Sequence, residues 1–147
     1  MKKIFLIALL AMFSLSEIKA QEFKVITIVE SIVPMGVGRS RIVEHQQESN
    51  HKAHTTERVD GKKSKEKKSK RSDAKVDNFS ETKLLNFYSG VGINFQNIAS
   101  NDSLITSKIN EMIQSGWKLN FVSSGVESDA GKDDGKGIFI TRLYFSK

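Results

Sequence analysis

Three imidazoles fall within ten residues, at His45, His51 and His54, with Glu44, Glu48 and Glu57 between and around them. Imidazole nitrogen and carboxylate oxygen are the right donors for a divalent cation. Their spacing matches no compact ligand motif, however, and the segment is polar throughout, so it reads as a solvated linker and no metal is assigned. A second candidate is Gly36-Val37-Gly38-Arg39-Ser40-Arg41. Its backbone N–H groups and the guanidinium groups of Arg39 and Arg41 could hold a phosphate or carboxylate, with Gly36 and Gly38 allowing close approach. The third glycine of a dinucleotide fingerprint is missing and no helix follows. A hairpin turn with arginines facing water accounts for the same residues.

The third candidate is a run of charge, KKSKEKKSKR over residues 62–71. Lys62, Lys63, Lys65, Lys67, Lys68, Lys70 and Arg71 oppose a single Glu66, which suits sequence-independent binding of a polyanion. No aromatic residue interrupts the run, so base stacking is not on offer. A solubilising linker is the competing reading.

Catalytic constellations are harder to find. The chain has no cysteine, which excludes disulfide scaffolds, thiolate metal sites and cysteine nucleophiles. There is no G-x-S-x-G elbow, and all three histidines lie in the polar stretch. Asp129, Asp133 and Asp134 sit in a Gly-rich segment that lacks the D-x-[DN]-x-[DN]-G order and the final glutamate of a calcium loop. No cofactor is implied.

The elements around these residues bound what they can do. The chain has 147 residues and a net charge of +6, enough for one ordinary domain. Residues 1–20 read as a secretory signal peptide, with Lys2 and Lys3 as a basic start, an apolar run over 4–15 and a small residue at Ala20. Twelve apolar residues are short of the roughly 20 needed to span a bilayer, so no transmembrane span is expected after cleavage. No cysteine follows the apolar run, so the lipoprotein route is not expected. The expected location is periplasmic or secreted, which makes intracellular nucleic acid an unsuitable partner. Without residues 1–20 the chain keeps 20 basic and 16 acidic residues, and residues 62–71 alone carry +6. The remainder is therefore slightly acidic.

Residues 45–80 contain almost no large apolar side chain and are expected to be a disordered insertion. Residues 21–44 on one side, and 81–147 on the other, carry the periodicity of a folded domain. Residues 22–33 (EFKVITIVESIV) alternate as a strand, with Phe23, Val25, Thr27 and Val29 on one face and Lys24, Ile26, Ile28 and Glu30 on the other. Apolar residues on both faces predict a central strand. Residues 39–44 return as a short strand. Residues 82–95 are expected to be a strand bent at Gly90 and Gly92. A helix is expected over 102–115, capped by Asn101 or Asp102 and ended by Gly116. Its apolar face is Ile105, Ile109, Met112 and Ile113 with Leu104 beside it, and Lys108, Asn110, Glu111 and Gln114 face water. Trp117, Leu119 and Phe121 then alternate onto one strand face, and residues 137–145 (GIFITRLYF) close the domain as a hairpin partner. The expected fold is α+β: a small antiparallel sheet of about four to five strands, one helix on one face, and a long loop interrupting it.

The run Ile109-Asn110-Glu111-Met112 with Gly116-Trp117-Lys118-Leu119, a polar loop and a terminal Ile-Phe-Ile-Thr-Arg strand resembles the bacterial domain-of-unknown-function family numbered 4177. Phe23-Lys24-Val25-Ile26 resembles that family's opening strand. Lys118 departs from the acidic residue usual after the tryptophan, and the basic insertion is foreign to its short members. The resemblance implies a fold and supplies no activity; with residues 1–20 the chain looks like an exported relative carrying an added N-terminal hairpin. The functional expectation is a non-enzymatic interaction module of the cell envelope whose partner is an envelope component or an anionic polymer. The alternative is a small hydrolase or ligand-processing protein. A deep cleft lined by two or more carboxylates would favour the enzyme, and a flat sheet surface would favour binding.

Overall fold

A computed structural model of the chain describes residues 21–33, 39–63, 70–127 and 137–147. Five strands form an antiparallel sheet in the order β5-β2-β1-β9-β8, with β1 (Phe23–Ser31) at its centre. Strand β2 (Arg41–His45) and strand β9 (Ile138–Ser146) flank β1, while β5 (Phe79–Lys83) and β8 (Lys118–Glu127) are the edges. One long helix, α1 (Phe95–Gln114), covers one face. The α+β expectation is met, and β1 is central for the reason its sequence suggests: both its faces carry β-branched residues.

Ile26, Ile28, Ile42, Leu143 and Phe145 turn toward α1 and meet Met112, with Ile105, Ile109, Trp117 and Leu119 packed around them. Val25, Thr27 and Val29 alternate onto the opposite face.

Three local readings need correction. The helix begins at Phe95, two turns earlier than its apolar stripe indicates. Asn94 is the N-cap, its side chain accepting from the backbone N–H of Gln96 and Asn97 at 3.0 and 3.2 Å. In those first turns Asn97 and Asn101 direct their amides to the backbone of residues 85 and 86 rather than into the apolar core. Asn101, expected as a cap, is fully buried in the helix body. At the other end Gly116 adopts φ 85°, and Trp117 N–H and Gly116 N–H donate to Met112 O and Ile113 O. That pair of bonds is a Schellman turn, which needs a left-handed residue where Gly116 stands.

The second correction concerns the strand after the helix. A bulge between Leu119 and Phe121 inserts one extra residue, Asn120. Trp117 and Leu119 pack on the core, but Phe121 is shifted to the far face, where its ring lies 5.7 Å from that of Tyr144. Period-two alternation cannot register such a shift.

The third concerns residues 45–95. Strand β5 starts at Phe79 and pairs with β2, within the stretch expected to be disordered. The single bent strand expected over 82–95 is instead β5, an irregular run, and a tight hairpin of β6 (Tyr88–Ser89) and β7 (Gly92–Ile93). Between β2 and β5 lie two single-turn helices, His51–His54 and Arg71–Ala74, and a two-residue ladder of β3 (Arg58–Val59) with β4 (Lys62–Lys63). Their described side chains are exposed, so these turns add nothing to the core, as the polar composition requires.

Candidate functional site

Two polar devices hold the sheet, the helix and the irregular run 84–94 together. The first is built from asparagines. Asn101 Oδ1 accepts from Leu85 N–H at 2.8 Å, and Asn101 Nδ2 donates to Leu85 O at 2.7 Å and to Glu30 Oε1 at 3.0 Å. The side-chain amide thus imitates a paired peptide group and ties the helix to the chain leaving β5. Asn97 Nδ2 donates to Asn86 O, while Asn86 accepts from Ser40 Oγ and donates to Val33 O. Burial raises the Glu30 carboxyl above its ordinary value, Asn101 opposes that rise by donating to it, and the nearby Asp102 adds to it.

The second device is a buried charge cluster between β1, β2 and α1. Glu44 accepts from Lys24 Nζ at 2.5 Å and from Lys108 Nζ at 2.7 Å, and Lys108 also meets Glu111 at 2.9 Å. Burial pushes the Glu44 carboxyl up, but the two ammonium groups outweigh it and hold the group below its ordinary value. Lys108 is raised by the same pairing, against its own desolvation. Glu44, read from sequence beside the histidines, therefore faces away from them into the helix–sheet interface. Lys108, read as facing water, is turned inward for the same reason.

The other sequence candidates are dispersed. His45 ends β2, and its Nδ1 lies 3.3 Å from Gln47 O. His51 and His54 sit in an exposed single-turn helix. Among the described residues no three His, Asp or Glu side chains converge on a metal-sized point. Arg39 is exposed at the start of the return strand, and Arg41 on β2 is engaged by Glu81. Gly36 and Gly38 lie outside the described residues. Of the basic run, Lys62 and Lys63 form β4, Lys70 precedes the second single-turn helix and Arg71 opens it. Lys65, Lys67 and Lys68 lie outside the described residues, as do Asp129, Asp133 and Asp134.

What sequence reasoning did not assemble is the sheet face turned away from α1. The pairing registers place its side chains in rows. Phe79 lies opposite His45, Val25 opposite Tyr144, and Tyr144 opposite Phe121. The next row is Glu81, Val43, Thr27, Arg142 and Ser123. The third is Lys83, Arg41, Val29, Ile140 and Gly125. Along these rows Val25, Thr27, Val29, Val43, Ile140 and Tyr144 are half-buried, and Glu81, Lys83 and Arg142 are exposed. Phe23 is 67% exposed, Phe121 62% and Phe79 48%. The alternation of β1 was the available signal, but only the bulge carried Phe121 to this side.

The surface is shallow. A depression of about 590 Å³ lies over β8 and β9, beside Ser123, Gly125, Ile140 and Arg142, where Gly125 supplies no side chain. Another, of about 350 Å³, lies at the end of β1 between Phe23, His45, Glu48 and Trp117. The Trp117 ring is already approached by Lys24 and Lys147 ammonium groups at 5.8 and 5.9 Å. Among the described residues every buried side-chain N or O atom has a partner, and no helix is long and apolar enough to cross a membrane. No family model, curated protein or solved structure matches the chain.

Proposed function

We propose that the chain is an exported, non-enzymatic interaction module of the bacterial envelope that binds through the sheet face opposite α1. One observation carries this reading: the face opposite α1 carries the exposed rings of Phe23, Phe79 and Phe121 beside half-buried Val25, Val43, Ile140 and Tyr144. Exposed aromatic rings gathered on one face are costly in water and mark a place where another surface docks. Charged groups among these rings (Glu81, Lys83, Arg142) give that docking a direction. The export reading rests on residues 1–20, and the resemblance to family 4177 contributes an architecture and no chemistry.

The test is a crosslinked pull-down from the envelope fraction with the wild-type chain and with Phe23→Ser/Phe121→Ser. Both rings are mostly exposed, so the double variant keeps the core. The expected result is loss of captured material with an unchanged thermal melt. Undiminished capture by the folded double variant would remove the sheet face from the proposal.

A further inference from the structure

We infer that the partner of the open sheet face is a second copy of this chain, stacked face to face about a twofold axis parallel to β1. The inference rests on the preceding reading that this face is a binding surface, and adds the partner's identity. It follows from how the three rows repeat when the sheet is turned over onto itself.

Such an axis keeps each row at its own level and exchanges the two sides of the sheet. Strand β5 then meets the partner's β8, β2 meets β9, and β1 meets β1. In the first row Phe79 meets a second Phe121, His45 meets Tyr144, and Val25 meets its own copy. In the second row Glu81 falls one strand away from Arg142 of the other copy, about 5 Å laterally. Arg142 has no carboxylate partner among the described residues, and this contact supplies one. In the third row Lys83 enters the depression over Gly125, with Glu127 one step further along β8. Aromatic rings, opposite charges and a cation-filled hollow therefore come into register together.

The other in-plane axis, across the strands, is rejected by the same rows. It would set Glu81 on Glu81 and Arg142 on Arg142, like charges face to face. An axis along the strands also keeps the two central strands aligned, inside the range of about 30° that face-to-face sheets adopt, with the layers about 10 Å from one another.

The area is adequate for a reversible dimer. Strands of nine, five, five, nine and ten residues at about 3.3 Å per residue and 4.8 Å spacing present about 600 Å² per copy. Two copies bury about 1,200 Å², the lower end of stable specific interfaces. A dimer that dissociates in the micromolar range is expected.

The experiment is sedimentation equilibrium of the exported chain from micromolar to millimolar concentration, with thermal melts to confirm folding. Phe121→Ser and Glu81→Arg should each weaken dimerisation by about tenfold or more. Glu81→Arg combined with Arg142→Glu should recover most of that loss, which a merely structural role for Glu81 would not produce. Because the chain has no cysteine, Val25→Cys reports the axis: the axis along β1 sets it on its own copy, whereas the axis across the strands would set it on Val29, so a short bis-maleimide should link two copies there, and not at Ser107→Cys on the outer face of the helix. A monomer at every concentration, or a dimer indifferent to all three variants, overturns the inference. If the chain is monomeric yet Phe121→Ser loses envelope capture, self-pairing is wrong and the interaction reading stands. If it is monomeric and capture is undiminished, both fall.

Discussion

Replacing Glu44 by Gln tests the account of what joins helix to sheet. Glu44 is the only acid between Lys24 and Lys108 among the described contacts, and its side chain is 8% exposed. Gln keeps the volume and one acceptor oxygen but leaves two ammonium groups facing a neutral amide. Breaking a fully buried pair costs roughly 3–5 kcal/mol. The lysine side chains are 22% and 16% exposed and can lean toward water, and Lys108 retains Glu111, so about 2–3 kcal/mol is expected. Urea denaturation at neutral pH reads this as a lower midpoint at constant slope. The pH dependence carries the sign. The folded-state value of Glu44 lies below its unfolded value, so its contribution is present above about pH 4.3, the unfolded value, and is lost as pH falls through the folded one. The gap between wild type and Glu44→Gln should be level at neutral pH and close in acid. A gap below about 0.5 kcal/mol at neutral pH, or one that persists unchanged into strong acid, would refute a buried charge cluster as the tie.

Asn101→Ala should cost about 2–3 kcal/mol by stranding the Leu85 peptide groups. Asn101→Asp should cost more, because it loses both donated bonds and adds a carboxylate beside Glu30 and Asp102; equal stabilities in denaturant melts would contradict the amide's role. Asn94→Ala removes the helix cap and should lower stability by about 1 kcal/mol, read as a loss of helical circular dichroism that begins at lower temperature. Deleting residues 60–75 should leave cooperative unfolding intact and abolish salt-sensitive retention on heparin resin; unchanged retention would mean the basic run binds no polyanion.

Much of the architecture is written locally. The alternation of residues 22–33 forces a strand with apolar side chains on both faces, and Gly116 before Trp117 ends the helix where a left-handed residue is required. What was not legible is instructive. Asn97 and Asn101 look like residues that precede a helix, because Asn is a poor interior residue and a good cap. Their value inside α1 comes from partners at positions 85 and 86, which no local pattern reveals. Glu44 and Lys108 are 64 positions apart, and each alone reads as a solvated charge.

By itself the sequence determined the α+β class, the central strand, the two hairpins and the confinement of positive charge to residues 62–71. These follow from side-chain periodicity and turn chemistry, which act over a few residues. Only the tertiary structure decided which face of β1 is covered, that Asn120 bulges and sends Phe121 to the open face, and that Glu44 serves the helix rather than the histidines. Those outcomes depend on pairing between distant strands and on the desolvation of charges brought together, and both exist only once the chain has closed on itself.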